Sequence, residues 1–216
     1  MTIHHHPPEE LLVAFAAGLL DLGQHVAIAT HLVGCPNCRG AVRTIEHVGG
    51  AVLTGLPPTS MSTGALASVE ARLDRIVRPS ALLPRPVAGL ADVTGLPQFL
   101  REYSAGPWRW IAPKVHLRSI QLPEASPTRV FLLRSRSGTK MIEHTHTGFE
   151  MSCVLSGSFV HAGGHFGRGD FDLGDGTDDH EIMIDSADDC ICLVAMQGDL
   201  KLNGMIGRLL QPLIRM

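Results

Sequence analysis

The chain has no run of about 20 apolar residues with which to cross a bilayer as a helix, although 44% of its 216 residues are hydrophobic. It also lacks an excess of basic charge. With 18 Lys and Arg against 21 Asp and Glu, the net charge is -3, which offers no general attraction to nucleic acid or anionic lipid. Met1 to His6 has neither the charged start nor the apolar stretch of a secretory signal, so a cytoplasmic location is expected. The five cysteines, an odd number with two in a Cys-x-x-Cys step beside a histidine, suit metal binding in a reducing compartment better than a disulfide framework. What remains is a globular protein with enough apolar residues for one domain or two small ones, and a protein partner fits it better than nucleic acid does.

From Glu9 to about Arg78 the apolar residues recur at helical spacing. Leu11, Leu12, Phe15 and Leu19 mark one face of a first helix behind Pro7 and Pro8. A second helix is expected over Gln24 to Leu32. A third begins at Pro36, passes Ala41, Ile45 and Val48, and is expected to end at Gly49 and Gly50. After a Pro/Ser/Thr-rich stretch, Leu66, Val69, Leu73 and Ile76 form a narrow apolar stripe within Gly64 to Arg78, flanked by charged residues. This amphipathic helix either folds back on its neighbours or docks on a partner.

Pro79, Pro84, Pro86 and Pro97 set residues 79–97 apart as a linker. Beyond it, Val115 to Leu122, Arg129 to Arg134, Glu150 to Leu155 and Cys190 to Met196 read as short strands separated by glycine turns, the rhythm of a jelly-roll barrel. The expected architecture is therefore α + β with two domains, a helical bundle over residues 1–78 and a β-barrel over 98–216.

Two groups of residues have metal-ligand chemistry. The first is His31-x3-Cys35-x2-Cys38, at the junction between two helices, where one helical turn and a short loop bring three ligands together. Structural zinc takes four ligands, and His6, next to the first helix, is chosen over His5 for the fourth. The alternatives are two ordinary buried thiols, or a redox dithiol for which the surrounding βαβ pattern is missing. A bundle this small has a marginal core, so metal binding would supply folding free energy and metal loss would unfold it.

The second group is His144-x-His146-x3-Glu150, with His180 further on. Residues two apart on a strand share a side, so His144 and His146 face one way, with Glu150 if the turn between preserves parity. Zinc, Mn, Fe, Ni or Cu would all accept three imidazoles and a carboxylate. His161 and His165, beside turn glycines, are expected to be surface or loop residues rather than ligands, and Glu143 and Asp170 turn or surface carboxylates. Cys190 and Cys192 share one face of the last expected strand, and with Cys153 they are expected to be buried apolar residues.

Gly138 to Gly157 fits the first cupin motif, G-x5-H-x-H-x3-E-x6-G, at every defining position. The second motif is less faithful, with Asp175, Thr177 and Ile184 in place of the usual proline, glycine and asparagine, while His180 is kept. His6, His31, Cys35 and Cys38 match the zinc-binding anti-sigma domain, and the join of this domain to a cupin resembles the ChrR group of anti-sigma factors over nearly the whole chain. That resemblance implies several things together. The helical domain would sequester an extracytoplasmic-function (group IV) sigma factor without catalysis, the cupin would tune release under oxidative stress such as singlet oxygen, and zinc would occupy both metal sites. A metal-dependent cupin enzyme, a dioxygenase or isomerase with a helical appendage, is the rival reading, and a DNA-binding regulator is a weaker third because Arg39 and Arg43 lack a basic cluster around them. Pairing of two copies through the cupin is left open.

Overall fold

A computed structural model describes residues 2–73, 90–141, 144–174 and 181–202. The first helix, α1 (Glu9–Ala16), starts after Pro8 with Glu9 and Glu10 in its first turn, where acidic side chains favour the positive end of the helix dipole. It buries Leu12, but Leu19 lies beyond its end and is 77% exposed, so the expected apolar face stops one turn early. The second helix, α2 (Leu22–Gly34), is two residues longer at each end than expected. Its start is fixed by a capping box in which the Asp21 side chain accepts from the amide of Gln24 and Gln24 reaches back to the amide of Asp21.

The third helix, α3 (Pro36–Thr54), passes through Gly49 and Gly50 and ends only at Gly55. Two glycines weaken a helix by roughly 1 kcal/mol each, which lowers its stability without dictating where it stops. The last helix, α4 (Ala65–Leu73), carries Leu66, Val69 and Leu73 and buries none of its residues. Ile76 and the rest of that expected helix lie outside the described residues, as does most of the proline-rich 79–97 stretch. The end of that stretch is packed rather than extended. Leu90, Val93 and Leu96 are buried around a 3-10 turn (Leu90–Asp92), and Asp92 accepts from Arg118 at 2.8 Å and from the Trp108 indole at 3.1 Å.

The strands are β1 (Ser104–Ala105), β2 (Arg109–Ala112), β3 (Val115–Gln121), β4 (Arg129–Ser135), β5 (His144–His146), β6 (Phe149–Ser156), β7 (Ser158–His161), β8 (Gly164–Gly167), β9 (Phe171–Gly174), β10 (Met183–Ile184), β11 (Cys190–Gln197) and β12 (Leu200–Leu202). The main antiparallel sheet runs β1-β3-β4-β11-β6-β9, with β2 also on β3, and two smaller sheets, β10-β7-β8 and β12-β5, complete the cupin-like sandwich. The four expected strands correspond to β3, β4, β6 and β11. Gly157, which closes the cupin motif, has φ +74 at the turn between β6 and β7, with Asp189 backbone packed where a side chain would begin.

The main sheet is covered on both faces, and β11 shows why its sequence is apolar throughout. Cys190, Cys192, Val194 and Met196 face the barrel interior with Leu117, Phe131 and Val154. Ile191, Leu193 and Ala195 face the other way with Leu132, Met151 and Cys153, and meet Val26, Ala27 and Ile28 of α2. The helices therefore share a hydrophobic core with the outer face of the sheet. Gly23 sits so close to Thr128 that a methyl group there would lie 2.5 Å from its carbonyl oxygen. Asp21 extends the contact by accepting from Ser126 Oγ at 2.7 Å and from Thr128 Oγ1 at 2.8 Å. No helix among the described residues is long and apolar enough to cross a membrane.

Candidate metal centres

At the α2–α3 junction the chain leaves one helix at Gly34 and enters the next at Pro36, so Cys35 is at once the C-cap of the first and the N-cap of the second. Its sulfur accepts from the amide of Cys38 at 3.4 Å, and Pro36 occupies the first helical position. This turn directs both thiols inward beside His31 in the last turn of α2. His6, reaching in from the segment before α1, supplies the fourth side chain.

One ligand atom from each of His6, His31, Cys35 and Cys38 lies within 4.8 Å of the others, the only such His/Cys/Asp/Glu cluster among the described residues. His31 Nε2 is 3.3 Å from Cys38 Sγ, and His6 Nδ1 is 3.4 Å from both sulfurs. A tetrahedral zinc with ordinary Zn–N and Zn–S bonds would place nitrogen and sulfur about 3.5 Å apart, so these edges fit a metal with little adjustment. His5 is elsewhere, stacked on Phe166 with ring centroids 4.0 Å apart.

Burial pushes the His31 imidazole down to about 4, against the opposing pull of its hydrogen bond to the Gly169 carbonyl, so it is neutral and able to ligate. Burial and the neighbouring Cys35 push the Cys38 thiol up to about 12 when no metal is present. Metal binding must therefore displace a proton from it.

In the cupin, the structure places His144 and His146 at alternate positions of β5, which pairs with β12. Glu150, on β6, lines a cavity of about 230 Å³ together with Ser152, Asp172, Phe131, Phe159, Cys190 and Cys192. Burial, with the nearby Asp172 charge, pushes the Glu150 carboxyl up to about 7 against the Ser152 hydroxyl, which donates to it at 3.2 Å. A buried acid on a cavity wall suits a metal ligand that ionises only when a cation arrives. His180, Asp175, Thr177 and Glu143 lie outside the described residues.

Cys190 and Cys192 are buried with their sulfurs 3.8 Å apart, and their mutual hydrogen bond and burial push the Cys192 thiol well up. An enclosed thiol held in its protonated form, as Cys192 is, is a poor nucleophile.

His161 and Asp170 lie beside turns, as expected, but neither side chain is left open to solvent. His161 has a side chain only 13% exposed, 3.3 Å from Asp172 and stacked on Phe159 and Phe166, whereas His165 is exposed as expected. Asp170 is 3% exposed and accepts backbone hydrogen bonds from His4, His5 and Gly167. Burial alone would raise its pKa, but these amides hold the carboxylate below its usual range. Two of its three donors lie more than 160 positions earlier in the chain, so no local pattern could reveal its role.

Residues 97–198 match the model of the ChrR cupin-like domain family. The chain is similar along its full length to the anti-sigma-E factor ChrR of Cereibacter sphaeroides, with 36% identity over 219 aligned residues covering all of both proteins. Its fold is similar to a chain of the crystal structure of Rhodobacter sphaeroides SigE in complex with the anti-sigma ChrR, with a TM-score of 0.73 and 32% identity over 91% of this chain and all of that one. With a helical thiolate-imidazole cluster joined to a cupin-like sandwich, and identity at this level from end to end, the chain belongs to the ChrR family of anti-sigma factors.

Proposed function

We propose that this protein is a non-enzymatic, cytoplasmic anti-sigma factor that sequesters an extracytoplasmic-function (group IV) sigma factor and so inhibits transcription initiation. The observation that carries the reading is the apolar surface left open by the helical region. Val48, Val52 and Leu53 of α3, Leu56 and Met61 beyond it, and Leu66, Val69 and Leu73 of α4 are each between 48% and 76% exposed. A monomer rarely leaves so many large apolar side chains in water along two successive helices, and two amphipathic helices presenting them suit a protein groove or helix pair. The similar ChrR chain was crystallised with SigE, which supports a sigma factor as the occupant.

In this reading residues 1–78 form the inhibitory unit, 79–97 connect it and 98–216 form the cupin. Zinc held by His6, His31, Cys35 and Cys38 supplies a structural cross-link to the helices. His144, His146, Glu150 and His180 hold zinc or another divalent transition metal in the cupin, which tunes release under oxidative stress such as singlet oxygen. That tuning rests on the family resemblance. It fails if alanine at the four cupin positions leaves stress-induced release unchanged.

Co-expression with extracytoplasmic-function sigma factors of the same genome, followed by affinity capture of the full chain, tests the main reading. One sigma factor should be retained, and Val52→Asp with Leu66→Asp should weaken its retention at least tenfold without lowering the thermal midpoint. Capture of no sigma factor overturns the proposal. Light scattering on the same material reads whether the cupin pairs two copies.

A further inference from the structure

The amino-terminal cluster is not built by the helical unit alone. Its imidazole donors reach their positions through the turn between β8 and β9 of the cupin. If Nε2 of His31 binds the metal, its proton must sit on Nδ1, and Nδ1 lies 2.8 Å from the carbonyl oxygen of Gly169, an acceptor 138 residues away in sequence. A ligating histidine needs such a partner to fix its tautomer and ring plane, and loss of the partner costs roughly 10–100-fold in metal affinity.

His6 depends on the same turn by another route. The amides of His4 and His5 both donate to Asp170 Oδ1, at 2.7 and 2.9 Å, and the amide of Phe171 donates to the carbonyl of His5 at 3.1 Å. Asp170 is itself held by the Gly167 amide, which donates to Oδ2 at 2.8 Å. The segment that carries His6 is thus tied to the start of β9 by three hydrogen bonds, and Ile3 packs on Gly169 beside them.

We propose that the Gly169–Asp170 turn of the cupin is a positioning element of the His6/His31/Cys35/Cys38 metal centre, so that metal binding there and seating of the helices on the cupin strengthen each other. Cys35 and Cys38 are placed by the α2–α3 junction, His6 is tied down by the cupin, and His31, carried by α2, has its ring held by the cupin. Linkage makes the effect reciprocal: a metal that binds more tightly when the turn is seated must hold the turn in its seat by the same factor. This gives the cupin a physical route to the helical unit, since whatever shifts the turn loosens two of the four ligands. The inference rests on the metal reading of the cluster and is independent of which protein the helices bind.

The test uses the full chain loaded with Co²⁺, whose thiolate-to-cobalt charge-transfer absorption reports only the centre that contains cysteine. Asp170→Ala should weaken cobalt binding at that centre about tenfold and speed its release to a chelator. Asp170→Asn, which keeps an oxygen facing the His4 and His5 amides, should recover most of the loss. Leu117→Ala, which destabilises the barrel interior away from the turn, should leave cobalt affinity within about twofold of the parent. In the unmodified chain, chelation should accelerate hydrogen exchange at the amides of His4, His5 and Phe171, a measurement that stands even if Asp170→Ala does not fold. The proposal is overturned if the parent forms no thiolate–cobalt band, if Asp170→Ala folds and binds cobalt as the parent does, or if exchange at those three amides ignores the metal. A chain that shows the cobalt effects and captures no sigma factor would overturn the functional reading alone.

Discussion

Cys35 carries two duties at one atom, since its sulfur caps α3 and faces the other three ligands. A serine in its place keeps a good cap and removes the thiolate, which isolates the contribution of the metal. Cys35→Ser should lower the metal content by about one ion per chain and the thermal midpoint by about 10 °C, read by metal analysis and calorimetry. Glu150 gives the opposite balance between stability and function. Its carboxyl titrates near 7 in the folded, metal-free protein and near its ordinary, lower value when unfolded, so between those values the folded state holds the extra proton. The Glu150 contribution to the stability of the metal-free protein then falls as pH rises through that window, with its full penalty above 7, while buried His31, held neutral, contributes in the opposite sense below its ordinary value. Glu150→Gln removes the penalty and should raise metal-free stability by about 2 kcal/mol at pH 8, with little change at pH 4, while weakening metal uptake by the cupin. Denaturant titrations at the two pH values check the sign.

The elements show where local reading succeeds and where it stops. Pro36 and the Cys-x-x-Cys turn announce the start of α3, because a proline at the first helical position and a capping sulfur are local features. α3 runs past Gly49 and Gly50 because glycine lowers helix stability without forbidding the conformation. Strands β3, β4, β6 and β11 were legible from β-rich runs bounded by turns. The continuous apolar run of β11 has a further meaning: Ile191, Leu193 and Ala195 alternate with the interior-facing residues, and an apolar outer face implies something to cover it. That cover is α2, and Gly23 permits its approach. Gly23→Ala would drive a methyl group into Thr128 and should cost about 2 kcal/mol, seen as a fall of about 6 °C in the thermal midpoint.

For the molecule as a whole, the shared core between the helices and the main sheet changes the meaning of two domains in one chain. Leu12, Val26 and Ile28 are buried in the same cluster as Leu132, Leu193 and Phe171, so neither side can unfold without exposing the other. Heating should therefore give one cooperative transition, with far-UV and near-UV circular dichroism changing together. Chelation should lower that single midpoint rather than split off a helical transition. Two separated transitions would show that the interface contributes little.

The sequence by itself determined the chemistry of the chain: which residues have metal-binding side chains, that helices precede strands, and that a zinc-type motif is joined to a cupin motif. These follow from residue identity and short spacing, which survive without knowledge of what lies nearby. Only the tertiary structure decided that Asp170 is a buried anchor of the amino-terminal segment, and that Val48, Val52 and Leu53 of α3 and Leu66, Val69 and Leu73 of α4 stay exposed while Val26, Ile28 and Leu32 of α2 are covered. Each of those outcomes depends on contacts between residues far apart in sequence, and local preference contains no term for such neighbours.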